Sequence, residues 1–99
     1  MAEETGLRLD TFLWWARIVK TRALARSLAE GGHLRLGGRV VAQAHARVRV
    51  GDVLSFAVHG RVRVLRVEAL PTRRGPPAEA RALYREVGEG PLTRRADNA

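Results

Sequence analysis

Apolar residues return every three or four positions near the start of the chain: Leu9, Phe12, Leu13, Ala16 and Val19. That spacing predicts a first helix over 9–19 with one apolar stripe, from which Trp14 and Ile18 point away. Asp10 lies near its start, where negative charge complements the exposed N–H groups. Thr21 reads as the N-cap of a short second helix, Arg22 to Glu30, stopped by Gly31 and Gly32. Leu24 and Leu28 share one face of it. Arg22 and Arg26, four residues apart, share the opposite face. An oily side for the core and a cationic side for something else are therefore expected. Trp15, at the edge of the first stripe, is expected in the core.

From Leu34 onward the period changes to two. "LRL" and "RVV" flank a tight turn at Gly37 and Gly38, and "RVRV" at 47–50 alternates again. Gly51 and Asp52 supply turn chemistry before "VLSFAV". "RVRVLRVEAL" follows His59 and Gly60. A three-residue loop of His59, Gly60 and Arg61 sets Val58 against Val62 and Phe56 against Val64, whereas a two-residue loop sets Phe56 beside Arg63. Apolar pairing favours the longer loop. A small antiparallel sheet with one face on the helices is expected. After the linker-like turn "PTRRGPP", Ala80, Leu83, Tyr84 and Val87 predict a C-terminal helix ending at Gly88. Trp14 either receives that helix through Leu83 and Tyr84, which the need to cover the stripe favours, or stacks on a base. The division expected is a main unit over 8–70, a helical extension over 71–88 and a flexible tail over 89–99, with a loose N-terminal "MAEETG".

The chain has 99 residues, enough for one domain. Its formal net charge is +8, and Lys20 is the one lysine among 18 cations. Such an excess repels itself and calls for a polyanionic partner. Arginine forks onto phosphate oxygens and stacks on bases. Cysteine is absent, which excludes disulfides, thiolate metal sites and cysteine nucleophiles. No apolar run reaches the roughly 18 residues of a spanning helix, and "MAEETG" has no signal-peptide pattern. A cytoplasmic setting is expected.

Candidate chemistry is sparse. No phosphate-binding loop of Walker or Rossmann spacing occurs. His33, His45 and His59 lack ligand spacing, and Ser27 and Ser55 have no nearby His–acid pair in sequence. No enzyme, no metal, no cofactor and no small-molecule substrate are expected.

The cations, by contrast, are concentrated. Arg8, Arg17, Lys20, Arg22 and Arg26 face one acid, Asp10, across residues 8–26. Thr21 adds a hydroxyl, and the N–H groups opening the second helix add further donors. A membrane-surface helix does not fit, because the pattern breaks at Lys20 and Thr21 and the apolar stripe is needed for the core. A DNA-binding helix-turn-helix is the rival reading. Against it stand the following β-half and a surface led by arginine without Asn or Gln to read base edges. Structured RNA, recognised by shape and phosphate position, suits rigid cations better.

The stretch "RLDTFLWWARIVKTRALARSLAEGGHLRLGG…VGDVL" resembles the S4 RNA-binding domain, or alpha-L motif, over roughly residues 8–58. It does so through Arg8-Leu9-Asp10, Leu13, Thr21-Arg22, Ala25, Leu28, Gly32, Gly38 and Gly51-Asp52. "WWARIVKTRALAR" and "RRGPPAEARALY" resemble the heat shock protein 15 family. The resemblance implies an α+β fold: two N-terminal helices on a small antiparallel sheet, plus a C-terminal helix. It implies RNA-contacting positions at Arg8, Asp10, Lys20, Thr21, Arg22 and Arg26, with His33 and Arg35 beyond the glycines. It further implies ribosomal RNA as partner, on a free large ribosomal subunit that still holds peptidyl-tRNA after translation has failed. A monomer is expected. Gly37 stands where the S4 pattern usually has Asn, which keeps the turn and removes a side-chain hydrogen bond. The basic C-terminal extension of the family is reduced here to Arg94 and Arg95. The other class of reading is an RNA-guiding module for a separate RNA-modifying enzyme.

Overall fold

Leu7–Arg8 forms a two-residue strand, β1, and the chain passes directly into helix α1, Leu9–Trp15, in a computed structural model that describes residues 6–58 and 60–91. Leu9, Phe12, Leu13 and Ala16 are buried as their spacing predicts. The helix nevertheless ends well short of Val19. Arg17 has a φ of 59°, the left-handed region that glycine favours. Around it the Ile18 amide donates to the Leu13 carbonyl and the Arg17 amide to the Trp14 carbonyl, each at 3.0 Å. These two back-bonds are a Schellman motif, which reverses the chain and carries its apolar contact with it. Ile18 is therefore buried with Leu13 rather than pointing away. Trp14 is the tryptophan packed against the core cluster; Trp15, expected in the core, is not part of it.

Thr21 caps α2, Arg22–Glu30, with its hydroxyl oxygen accepting from the Leu24 amide at 3.0 Å. The buried residues of α2 are Ala25 and Ala29, not the expected leucines. Leu28 is half-buried and Leu24 is 51% exposed. Alanines at the contact let α2 approach α1 closely, and the leucines fall to the side of it.

Strands β2, Leu34–Leu36, and β3, Arg39–Val41, form the expected hairpin, with Gly37 and Gly38 both at positive φ in its turn. β4, Arg47–Val48, does not join that sheet; it pairs with β1, Leu7 opposite Val48 and Arg8 opposite Arg47. β5, Val53–Val58, and β6, Arg61–Val67, are antiparallel neighbours. Their register corrects the sequence reading: Val58 faces Arg61 and Phe56 faces Arg63. Two causes decide it. Leu65 and Val67 now share the core face with Leu54 and Phe56. Arg63 is also satisfied there, 5.9 Å from the Phe56 ring and forked onto Glu86 at 3.1 and 2.9 Å. That ion pair drives the Arg63 guanidinium pKa further up. His59 lies outside the described residues.

The C-terminal helix is short: α3 spans Pro77–Arg81. From Tyr84 to Pro91 the chain is a strand, β7, along β6, so the extension over 71–88 is only partly helical and the expected tail from residue 89 begins as strand. Gly88 stands opposite Val64 in that pairing, and the register shifts just beyond it, between Val64 and Leu65. The main sheet runs β3-β2-β5-β6-β7. Residues 1–5 and 92–99, with Arg94 and Arg95, lie outside the described residues.

Candidate nucleic-acid interface

The interface begins where β1 becomes α1. Arg8 Nε donates to Asp10 Oδ1 and Nη2 to Oδ2, both at 3.0 Å, and the Thr11 amide donates to Oδ1 at 2.8 Å. The Arg8 hydrogen bonds hold the Asp10 carboxyl below its usual range; burial opposes this, while the Thr11 N–H and the Arg8 and Arg22 charges assist. The Arg8 guanidinium is raised in turn. Asp10 is buried and the Arg8 side chain stays 48% exposed. A carboxylate thus fixes the Arg8 fork in place and cancels much of its charge. Opposite Arg8 on the β1–β4 ladder stands Arg47, exposed and without a carboxylate partner among the described residues. Like charges at facing positions are unfavourable, which an anion lying across them would relieve.

One helical turn beyond Asp10 is Trp14. The Arg22 guanidinium lies over its ring at 5.1 Å and that of Arg74 at 5.2 Å. Arg74 Nε also donates to the Trp14 carbonyl at 3.1 Å, and Arg17 Nε to the Gly75 carbonyl at 2.7 Å. The end of α1 carries partial negative charge on its carbonyls, so it attracts these guanidinium groups. Facing strand positions, ion pair, charge–charge attraction and ring contacts link Arg47, Arg8, Asp10, Arg22, Trp14 and Arg74 into one strip along α1.

Of the sequence-predicted residues, Arg8, Asp10 and Arg22 are brought together in this strip. Lys20, Thr21 and Arg26 flank it, all exposed. Thr21 is occupied as a helix cap. Arg26 Nε meets Glu30 at 3.2 Å, an exposed i, i+4 pair of about 0.3–0.5 kcal/mol that competes little with a phosphate. His33 and Arg35 stand apart. They line a groove beside the C-terminal end of α2 with Ser27 and Leu28, and Arg35 Nη1 donates to the Gly38 carbonyl at 3.2 Å. No hydrogen bond, ion pair or ring contact among the described residues joins them to the strip. Arg47 and Arg74 are what the sequence reading missed. Arg47 alternates outward in "RVRV", but only the long-range β1–β4 pairing puts it beside Arg8. Arg74 lies in a segment read as a linker. Among the described residues, no cluster of His, Asp or Glu could hold a metal ion, and no helix is long and apolar enough to cross a membrane.

A family model, that of the S4 domain, matches residues 7–54. Heat shock protein 15 of Escherichia coli K12 is 37% identical over 83 residues, which are 84% of this chain. The chain spans 62% of that relative's length. The heat shock protein 15 homolog of Aeromonas salmonicida is 36% identical over 95 residues, 96% of this chain and 70% of the homolog. This chain belongs to the heat shock protein 15 family. A solved structure of heat shock protein 15 from Vibrio cholerae, described as trimeric, superposes with a TM-score of 0.74 at 35% identity, covering 82% of this chain and 81% of that one. The α+β, S4-like fold expected from the sequence is thus the fold of a heat shock protein 15. Arg8, Asp10, Arg22 and Arg47 fall inside the S4 match, and Arg74 falls outside it.

Proposed function

We propose that this heat shock protein 15 family member is a non-enzymatic RNA-binding factor that holds ribosomal RNA along α1. Its partner in this reading is the free large ribosomal subunit that retains peptidyl-tRNA after stalled translation, which places the protein in the cytoplasm. The observation that carries the proposal is the strip itself: Arg47, Arg22 and Arg74 have no carboxylate within ion-pair distance among the described residues, while Arg8 is locked by Asp10. A surface built only for solubility would intersperse its charges. Holding several guanidinium groups in fixed positions matches a ribose–phosphate chain better than base edges, which are read by Asn, Gln and bidentate arginine in a groove.

Asp10 acts here through Arg8 rather than on RNA. Lys20, Thr21 and Arg26 act as flanking contacts, and His33 and Arg35 serve a second, separate patch. The strip is complete within one chain, which supports a monomer as the binding unit. Sedimentation with separated ribosomal subunits, with and without peptidyl-tRNA, tests the proposal. Retention on large subunits, increased by peptidyl-tRNA, is the expected result. Equal retention on both subunits, or preference for duplex DNA in competition, would contradict it.

A further inference from the structure

We propose that Arg74, between β6 and α3, is a phosphate-binding residue of this interface, contributed by a segment outside the S4 match; the proposal rests on the RNA-binding reading above. Arg74 and Arg22 both lie within 5.2 Å of the Trp14 ring centre, so their guanidinium carbons are at most about 10 Å apart. The ring face offsets part of the cost of placing two cations together. Neither one makes an ion pair with a carboxylate among the described residues, although Arg22 is close enough to Asp10 to favour its charged form. The neighbouring arginine shows the contrast: Arg73 Nη2 pairs with Glu79 Oε1 at 3.0 Å. Acids are therefore at hand in this segment, yet Arg74 lies over the Trp14 ring that Arg22 also approaches.

Capping the helix explains only part of this. The bond to the Trp14 carbonyl uses Nε and leaves both Nη groups to other acceptors. The segment is also held firmly. Arg17 Nε grips the Gly75 carbonyl at 2.7 Å, from a residue kept in left-handed backbone, and Gly75 is buried. Strain of that kind persists where surrounding contacts over-determine a position. A phosphodiester strand following α1 meets Arg47 and Arg8 at one end. At the other it meets Arg22 and Arg74, about one helical turn or 6 Å further on. Phosphate is the chemistry that fits, because paired forks with no base-edge partner recognise charge.

The test uses the full chain and a fluorescein-labelled ribosomal RNA hairpin, with anisotropy read across a salt series. Arg74→Ala is expected to weaken binding about tenfold and to make the log–log salt slope shallower by about 0.7–0.9. Arg74→Lys is expected to retain the slope, and Arg73→Ala to retain both slope and affinity. Circular dichroism checks the fold. Should Arg74→Ala fail to fold, Arg74→Gln keeps a donor for the Trp14 carbonyl and loses the charge, and the same slope change is expected of it. An unchanged slope in the folded charge-removing variant, with Arg22→Ala still reducing it, would make Arg74 a helix cap and overturn the proposal alone. An unchanged slope in Arg22→Ala as well would overturn the RNA-binding reading beneath it.

Discussion

The guanidinium of Arg22, the first residue of α2, rests 5.1 Å from the centre of the Trp14 ring at the end of α1. This contact ties the cationic side of one helix to an aromatic side chain of the other. It also holds a long, otherwise mobile side chain in one place, which lowers the entropy cost of gripping a ligand. Trp14→Leu keeps apolar bulk and removes the ring face. Its RNA affinity should fall about two- to fivefold, as the loss of about 0.5–1 kcal/mol of cation–π attraction implies. Anisotropy titration at fixed salt measures it. Affinity equal to wild type would mean the ring does not position Arg22.

Asp10 should make folding sensitive to acid. Its folded-state pKa lies below the ordinary 3.8, chiefly because of the Arg8 hydrogen bonds. The stabilisation is therefore complete above that value and is lost as pH falls through the folded one. Urea unfolding at about pH 6 and about pH 2 should show wild type losing more stability than Asp10→Asn, the two converging at the acid end. Parallel losses would mean the pair contributes nothing to folding.

Arg17 isolates a backbone effect. Both Arg17→Ala and Arg17→Gly lose the bond to the Gly75 carbonyl, but only glycine fits a φ of 59° without strain. Arg17→Gly should be more stable than Arg17→Ala by about 1 kcal/mol in denaturant melts. The reverse order would show that the left-handed turn is not kept in solution.

Helix α2 offers a test of which side faces inward. Ala29 is fully buried and Leu24 is half exposed. Ala29→Leu should cost about 1–3 kcal/mol by overpacking, whereas Leu24→Ala should cost under about 1 kcal/mol. A larger cost at Leu24 than at Ala29 would restore the leucines to the core.

These positions also show where the sequence was legible. The limits of α2, its Thr21 cap and the Gly37–Gly38 hairpin follow from local chemistry: a hydroxyl before a helix, paired glycines, a period of two. The S4-like fold follows from the motif resemblance. The misreadings share a cause, namely long-range contacts that outweigh local pattern. Apolar alternation favoured Phe56 against Val64, but Arg63 finds Glu86 and two rings, Phe56 and Tyr84, only once β7 is in place. The helical spacing that ran on from Ala80 to Val87 gave way after α3 to pairing of Tyr84–Pro91 with β6, a partner no local window contains. Within the site, Arg8, Asp10 and Arg22 stood out because they lie close in sequence. Arg47 and Arg74 did not, because the chain must fold to bring them to α1.

A double-mutant cycle can check the Arg63–Glu86 pair on which the observed register rests. Both side chains are partly exposed, so a coupling of about 0.5–1 kcal/mol is expected between Arg63→Ala and Glu86→Ala. Strict additivity would leave the choice of register without its electrostatic cause.

Most decisive is the salt dependence of binding to ribosomal RNA, compared between wild type and a triple variant, Arg8→Ala, Arg22→Ala, Arg47→Ala. Six cations on phosphates, the strip with Lys20 and Arg26, predict a log–log slope of roughly −4 to −5 for wild type, and about half that for the folded triple variant. A nearly flat wild-type slope, or the same steep slope after the three arginines are removed, would show that RNA is not held along α1.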